Sequence, residues 1–324
     1  MVLSQFIETM NSWGRDKTPF LFAVDFEMEQ PWILKVPDIS PERILYDVRG
    51  QSNAGPASPL KTGDVSLRKF SIPLSVYAEK YKIVYDRLAY GDSYLTNLTI
   101  RTPVAPAMPL REIFYRSNAP YKLLCDHEFL VFSPETFVRI SDGKVFAYPM
   151  KGTIDAAIPG AREKILQDPK ELAEHVTIVD LIRNDLSQVS DHVHVPRFRY
   201  VEELHTNTKN LLQVSSEICG QLPPGYRSRL GEILVALLPA GSVSGAPKKK
   251  TVEIIRQAEA EKRGFYTGVF GFFNGTSLDS GVMIRFLQKD GEKYFYRSGG
   301  GITTQSVVTL EYQEAIDKVY VPVD

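Results

Sequence analysis

Strand-like and helix-like segments follow one another along this chain without regular alternation. Helical spacing of apolar residues predicts four helices, at 74–90, 168–186, 247–262 and 309–320. Apolar runs and alternation predict strands within 19–36, 94–104, 122–133, 136–150 and 192–198, with a hairpin turn at Asp142-Gly143. A β-meander follows, with turns at Asn274-Gly275 and Asp290-Gly291. A doubly wound sheet needs one helix after each strand, so the order favours an α+β fold.

Composition and charge exclude some classes of function but do not identify one. The chain has 324 residues, with 38 basic and 39 acidic side chains and a formal charge of -1. That balance excludes a nucleic-acid binder that works through bulk positive charge. No apolar run reaches the roughly 18–20 residues of a spanning helix, and no secretory signal is evident at the N-terminus. Cys125 and Cys219 form neither a CxxC motif nor a disulfide framework, so we expect a cytoplasmic protein that contacts neither nucleic acid nor membrane.

Two pairs of glutamates lie three residues apart on predicted helices: Glu171 with Glu174, and Glu311 with Glu314. This spacing places both carboxylates of a pair on one helix face. Two such helices facing each other would offer the hard oxygen ligands that Mg²⁺ prefers. The alternative is a solvated helix face on which Glu171 completes a capping box with Asp168.

Two glycine-rich segments could bind anions through backbone amides. In GSVSGAPKKK, at 241–250, small residues precede a helix, but Pro247 removes an amide donor, and the segment is not a Walker loop. An oxyanion pocket and a tight loop-to-helix connection remain equally open. We interpret Lys248–Lys250 as a solvated charge run. The second segment, RSGGGIT at 297–303, lacks dinucleotide-binding spacing and is interpreted as a turn.

Single residues with reactive side chains add weaker candidates. Lys151 follows an apolar predicted strand, where burial could lower its pKa and make it a nucleophile or base. An exposed lysine at a strand end is the commoner case. Glu135 follows an apolar run and could be a general acid. His192 and His194 share a strand face, but without a third ligand nearby a surface strand is favoured over a metal site.

Together, eight segments resemble the chorismate-utilising enzymes: the large subunits of anthranilate and aminodeoxychorismate synthases, with isochorismate and salicylate synthases. The segments occur in the order GDSYLTNLT (91–99), FSPETF (132–137), YPMKGT (148–153), EHVTIVDLIRNDL (174–186), GSVSGAPK (241–248), RGFYTG (263–268), MIRF (283–286) and SGGGI with EYQEAIDK (298–302, 311–318). They fall within about 84–318, which is most of the chain.

The resemblance implies two large antiparallel β-sheets packed together, with helices outside and the active site between the sheets. It implies one catalytic domain over 1–324, in which residues 1–80 form a shortened N-terminal part without a recognisable feedback site. It also implies Mg²⁺ held by Glu174 and Glu314, with Glu171 and Glu311 acting partly through water.

The resemblance further implies which residues bind the substrate, chorismate. Chorismate is a dianion, so its binding needs a cation, an arginine and backbone amides that point at its carboxylates. Glu135 would be the acid that assists departure of the C4 hydroxyl. The glycine loop, with Ser244 at the family's usual threonine, would bind the ring carboxylate through the amides of Gly245 and Ala246. The enolpyruvyl carboxylate would be held by Tyr266, Arg285, Gly301 and Lys318.

Lys151 places the chain nearest to the aminodeoxychorismate synthases, in which this lysine attacks C2 before ammonia adds at C4. Anthranilate synthases usually carry alanine there. Isochorismate and salicylate synthases use a lysine at the position of Leu95, which cannot deprotonate water. One departure is Gln213, which occupies the position of the family's histidine and puts a proton-handling role there in doubt.

The resulting hypothesis is Mg²⁺-dependent amination of chorismate to 4-amino-4-deoxychorismate, for 4-aminobenzoate and folate synthesis. A glutamine amidotransferase subunit would supply ammonia, since no Cys-His-Glu amidotransferase region is evident. An anthranilate synthase component I and a catalytically silent chorismate-binding homologue remain as alternatives.

Overall fold

Two nine-stranded antiparallel sheets form the framework of the protein. The structure, a computed structural model, describes residues 1–55, 65–125, 128–204 and 210–323, and it describes residue 204 without its side chain. The α+β fold with two large antiparallel sheets and external helices is therefore confirmed. The strands are β1 (Phe20–Val24), β2 (Trp32–Lys35), β3 (Ile44–Val48), β4 (Gln51–Ser52), β5 (Leu67–Lys69), β6 (Leu95–Pro106), β7 (Tyr121–Cys125), β8 (Phe129–Ser133), β9 (Thr136–Ser141), β10 (Lys144–Ala147), β11 (Met150–Asp155), β12 (Asp191–Leu204), β13 (Leu211–Gln221), β14 (Gly245–Ala246), β15 (Val269–Phe273), β16 (Leu278–Val282), β17 (Phe286–Asp290) and β18 (Lys293–Ile302).

The first sheet has the order β11-β13-β10-β9-β16-β15-β1-β2, and β12 pairs with β13. The second has the order β14-β6-β18-β17-β8-β7-β3-β4, and β5 pairs with β6. The helices are α1 (Leu3–Arg15), α2 (Leu74–Tyr90), α3 (Leu110–Arg116), α4 (Ala161–Gln167), α5 (Pro169–Leu186), α6 (Leu230–Ala236), α7 (Lys248–Glu259) and α8 (Val308–Asp317).

Strand β1 shows how the first sheet packs against other elements on both of its faces. All five of its residues are buried, which requires a cover on each face. Phe20 and Phe22 join the apolar cluster that includes residues of α1 and α6, whereas Leu21 and Ala23 join the cluster between the two sheets. Helices α2, α7 and α8 cover the outer face of the second sheet. The helices therefore leave the space between the sheets to side chains of the strands and of the loops at their ends.

Local sequence patterns predicted most helices, strands and turns correctly. The turns at Asp142-Gly143, Asn274-Gly275 and Asp290-Gly291 join neighbouring strands, and α2 ends at Gly91 with a φ of 92°. Three predictions were wrong. Residues 298–301 continue β18 instead of forming a turn, because they pair with β6. Helix α7 ends at Glu259, three residues early, because Ala260 adopts a left-handed conformation. Helix α8 ends at Asp317, also three residues early, and the chain beyond it extends to pair Val323 with Ser117. The segment 50–62 is rich in Gly, Ser and Pro, which predicts a surface loop or a weak boundary. Its residues 56–62 lie outside the described part of the chain.

The start of α5 gives a stability prediction. The carboxylate of Asp168 accepts hydrogen bonds from the backbone N–H groups of Lys170 (2.8 Å) and Glu171 (3.1 Å), as the sequence predicts for an N-cap. Asp168→Ala should lower the free energy of unfolding by about 1 kcal/mol, since two amides lose their partner. Urea titration monitored by circular dichroism measures the change. Glu8→Ala, at an exposed site within α1, is the control and should stay within about 0.5 kcal/mol of the parent.

Within the described ranges, no helix has both the length and the apolar character needed to cross a membrane.

Candidate active site

A cavity of about 530 Å³ opens between the two sheets, and most of the residues proposed from the sequence lie in its wall. Strand ends and loops of both sheets contribute to the wall, together with α5 and α8. The predicted site residues that line the cavity are Glu135, Lys151, Glu171, Glu174, Ser244, Tyr266, Arg285, Gly301, Glu311, Glu314 and Lys318. Residues far apart in sequence therefore meet in one place.

Gly245 and Ala246 lie beside the cavity and not in its wall. They form β14 and pair with Thr96 and Leu95 of β6. A Cβ on Gly245 would lie 1.9 Å from the carbonyl oxygen of Leu95, and its φ is +142°, so this position requires glycine. The pairing fixes the glycine loop against the second sheet, and amide contacts of these two residues with a substrate stay a prediction.

Four carboxylates and three lysines occupy one side of the cavity. Helix α5 carries Glu171 and Glu174, and α8 carries Glu311 and Glu314. The Nζ atom of Lys151 lies 3.0 Å from Oε2 of Glu174, and Nζ of Lys318 lies 2.6 Å from Oε1 of Glu314. Lys170 also lines the cavity, with Nζ 3.9 Å from Oε1 of Glu174. The two glutamate pairs thus face one cavity, although the Glu314 side chain is 53 % exposed. With every group ionised, four negative and three positive charges leave a net charge of -1, which favours a cation.

The pKa values of these carboxyl groups reflect their crowding. Burial raises the pKa of Glu171, and the neighbouring Glu174 raises it further. Burial likewise raises the pKa of Glu311, with Glu314 adding to the effect. Burial alone would raise the pKa of Glu314, but Lys318, Lys151 and Lys170 together outweigh it and the pKa is lowered. Like charges are thus held close together, as expected where a cation is to bind.

This donor set fits Mg²⁺ in kind, because carboxylate oxygens in a water-accessible cavity are its usual protein ligands. In the described ranges, however, no three His, Cys, Asp or Glu side chains are grouped closely enough to hold a metal ion. Lysine ammonium groups stand against Glu174 and Glu314 instead. The ligand assignment stays a prediction. His192 and His194 are exposed on β12.

Lys151 reaches the cavity because β11 is irregular at this point. The register of β11 against β13 shifts between Lys151 and Thr153, and Gly152 between them has a φ of +79°. The Lys151 side chain is 29 % exposed, so it is not the open strand-end lysine that residue statistics favour. A Cβ added to Gly301 would lie 2.8 Å from Cδ1 of Leu95 and 4.0 Å from Nζ of Lys151, so these three residues adjoin one another.

The remaining wall holds Arg285, Tyr266 and Glu135. The guanidinium of Arg285 lies 4.9 Å from the ring centre of Tyr320 and donates to its hydroxyl at 3.4 Å. Burial raises the pKa of Tyr266 to about 12, so its phenol stays neutral near neutral pH. Burial also raises the pKa of Glu135, although Ser242, Lys151, Lys318 and Arg285 act in the opposite direction. The cavity thus combines a carboxyl group suited to hold a proton with several cations.

Gln213, which the resemblance places at the family's histidine, lines the cavity. Sequence reasoning missed two neighbours of the site. The Ser242 hydroxyl donates a hydrogen bond to Oε1 of Glu135. Lys248, interpreted as part of a solvated charge run, is only 19 % exposed; its Nζ donates to Oδ2 of Asp185 and to the Leu237 carbonyl, each at 2.9 Å. That interpretation of Lys248 was wrong because its partners come from distant segments, which spacing along the chain does not reveal.

Comparison with known proteins agrees with this geometry. The model of the chorismate binding enzyme family matches residues 22–324. The chain belongs to the chorismate-binding enzyme family. Among relatives, an uncharacterized PabA-like protein of Haemophilus influenzae is 46 % identical over 99 % of this chain and 98 % of its own length.

Named relatives in the family are synthases longer than this chain. Aminodeoxychorismate synthase component 1 of Bacillus subtilis is 28 % identical over 91 % of this chain and 61 % of its own length. Anthranilate synthase component 1 of Pseudomonas aeruginosa is 39 % identical over 68 % of this chain and 46 % of its own length.

Solved structures of the family share the fold. Anthranilate synthase component I of Streptococcus pneumoniae superposes with a TM-score of 0.67 at 27 % identity, over 81 % of this chain and 61 % of that one. The menaquinone-specific isochorismate synthase of Escherichia coli gives a TM-score of 0.73 at 17 % identity, over 97 % and 80 %. At this identity the second likeness concerns the fold alone.

Proposed function

We propose that this chorismate-binding enzyme aminates chorismate to 4-amino-4-deoxychorismate, with Mg²⁺ and ammonia. The observation that carries the proposal is Lys151, whose ammonium group stands at the cavity wall beside Glu174, next to Leu95 and Gly301. A lysine here supplies a nitrogen nucleophile, and Leu95 supplies no base for activating water. Amination is therefore favoured over hydration.

In the proposed reaction, each residue of the cavity wall has a separate role. Lys151 first loses its ammonium proton to bulk water, and the neutral Nζ then bonds to C2 of the ring while the C4–oxygen bond breaks. Glu135 gives its proton to the departing hydroxyl, which leaves as water. Ammonia then bonds to C4 as the C2–nitrogen bond breaks and frees Lys151, and the new C4 ammonium returns a proton to Glu135. The net change is chorismate plus ammonia to 4-amino-4-deoxychorismate plus water. Arg285 and Lys318 supply positive charge for the enolpyruvyl carboxylate.

Magnesium ion would neutralise the glutamates and attract the ring carboxylate of the substrate. Glu174 and Glu314 would hold it, with Glu171 and Glu311 acting partly through water. The net negative charge of these four carboxylates and three lysines supports the proposal. The protein's own contribution is to hold the carboxylates on two separate helices that face one cavity.

We also propose that a glutamine amidotransferase supplies the ammonia. Two named relatives are each component 1 of a synthase, which supports a second component. Cys125 and Cys219 are both buried, on β7 and β13, and burial raises the pKa of each thiol. Neither suits the nucleophile of a glutaminase.

Anthranilate synthesis is the second candidate, favoured by the 39 % identity to an anthranilate synthase component 1. Both reactions would use the same dianionic substrate and the same metal, so the product decides between them. A silent chorismate-binding homologue is disfavoured, because a chain without turnover has no need to keep Lys151, Arg285 and the four carboxylates in one cavity.

The test is product identification with the purified chain. With chorismate, Mg²⁺ and ammonium chloride, we expect a product with the mass of 4-amino-4-deoxychorismate and no anthranilate fluorescence. Omission of ammonium is the control. Anthranilate as the main product would overturn the proposal, and binding of chorismate without any turnover would support the silent homologue.

A further inference from the structure

The Ser242 hydroxyl is the hydrogen-bond donor to Glu135, the carboxyl group proposed above as the acid. Glu135 lies between β8 and β9, and its backbone is anchored on both sides. Its N–H donates to Oγ of Ser133 at 3.1 Å, and its carbonyl accepts from the N–H of Val282 at 3.1 Å. The side chain receives its hydrogen bond from Ser242 at Oε1. Among the described residues, no hydrogen bond to Oε2 is found.

The backbone around Ser242 is itself held in place. Residues 241–243 form a 3-10 turn, and the hydroxyl of Ser244 donates to the carbonyl of Ala240 at 2.9 Å. The carbonyl of Val243 accepts a hydrogen bond from Nη1 of Arg263 at 2.8 Å. Arg263 is buried and paired with Glu259 at 2.6 Å, with the two side chains 1 % and 2 % exposed. The Ser242 hydroxyl is thus presented by a rigid segment.

A hydroxyl that donates to one oxygen of a carboxyl group decides where the proton sits. The oxygen that accepts the bond takes the carbonyl role, so the acidic proton resides on the other oxygen. With Ser242 on Oε1, that oxygen is Oε2. After proton transfer the same hydroxyl stabilises the carboxylate left behind.

We infer that Ser242 is the positioning residue for Glu135: its hydroxyl directs the transferable proton to Oε2 and stabilises the carboxylate once the proton has left. The inference rests on the proposed function only for the role of Glu135 as the acid. The hydrogen bond between Ser242 and Glu135 does not depend on the proposed function. Nothing in the fold requires a hydroxyl at position 242, because the backbone there is held by Ala240, Ser244 and Arg263.

The kinetic test compares Ser242→Ala with Ser242→Thr, which retains the hydroxyl. Ser242→Ala should lower kcat about ten- to a hundredfold with little change in KM for chorismate, as expected for a lost hydrogen bond to an ionised group. Ser242→Thr should recover most of the rate. Ser228→Ala, whose exposed hydroxyl donates to the carbonyl of Gly225 outside the cavity, should leave kcat unchanged.

Two further readouts separate positioning from simple structural damage. In a Glu135→Gln background, Ser242→Ala should cost less than about twofold, because the acidic proton that the hydroxyl positions is already gone. The charges that face Glu135 are Lys151, Lys318 and Arg285, and they remain in every variant. Loss of the Ser242 bond disfavours the carboxylate, so the alkaline limb of the kcat profile should move to higher pH in Ser242→Ala and stay in place in Ser242→Thr.

Infrared difference spectroscopy tests the contact without turnover. The carboxyl C=O band that disappears in Glu135→Gln should lie at higher frequency in Ser242→Ala than in the parent, because the carbonyl has lost its hydrogen bond. An unmoved band, or equal rate losses for alanine and threonine at position 242, would overturn the inference. Failure to form 4-amino-4-deoxychorismate would instead overturn the proposed function, and the infrared comparison would still decide the role of Ser242.

Discussion

Lys151→Ala should reduce amination of chorismate by about a thousandfold, which corresponds to roughly 4 kcal/mol of transition-state stabilisation. The reason is that the proposed reaction passes through a bond between Nζ of Lys151 and the substrate ring, and alanine has no nucleophile to replace it. The loss should appear in kcat, since Arg285 and Lys318 still attract the carboxylate. Product formation by mass spectrometry under saturating chorismate measures the effect.

Lys144→Ala is a matched control, because Lys144 is exposed on β10 and lies outside the cavity. It should retain the parent rate. Binding of Mg²⁺ to Lys151→Ala should persist, because all four carboxylates remain and Glu174 loses the ammonium that stands against it. Turnover unchanged by Lys151→Ala would remove the lysine from the mechanism.

Glu174→Gln combined with Glu314→Gln should weaken divalent-metal binding by at least about a hundredfold. Each substitution keeps the size of the side chain and removes one negative charge. The sum over the four carboxylates, Lys151, Lys170 and Lys318 then changes from -1 to +1, which no longer attracts a divalent ion. Electron paramagnetic resonance of added Mn²⁺ measures affinity directly and does not depend on activity.

Glu253→Gln provides the control for this pair of substitutions. Glu253 is an exposed glutamate of α7 that pairs with Lys250 on the same helix, and it is not part of the cavity wall. Its replacement should leave Mn²⁺ affinity unchanged. If the double variant bound Mn²⁺ as tightly as the parent protein, the metal site would have to lie elsewhere.

The features that the sequence predicted correctly are local ones. An N-cap, a two-residue turn and an i,i+3 pair are each determined by residues within one helical turn or hairpin, so Asp168, Asp142-Gly143 and the Glu171/Glu174 pair could be read from spacing. The convergence of α5 and α8 on one cavity came from the resemblance of several segments to a family. Spacing alone left those carboxylates as a solvated helix face.

The features that were missed depend on partners far along the chain. Residues 298–301 have the composition of a turn, yet pairing with β6 extends them, because a ladder of backbone hydrogen bonds outweighs weak local preference. Lys248 and Ser242 each find a carboxylate more than 60 residues away, and no local pattern specifies such a pair. Both pairs became visible only when the sheets and helices were assembled.

The position of β1 has a consequence during synthesis of the protein. Val24 pairs with Val269, 245 residues further along the chain, and β15 covers the edge of β1 opposite β2. At translation speeds of about 5–20 residues per second, the run Phe20–Val24 waits roughly 12–50 s for its neighbour. Throughout that interval a strand made only of apolar residues presents an unpaired edge, the kind of segment that molecular chaperones shield on the ribosome. The cavity, whose wall also includes Glu311, Glu314 and Lys318, is therefore completed late in the synthesis of each chain.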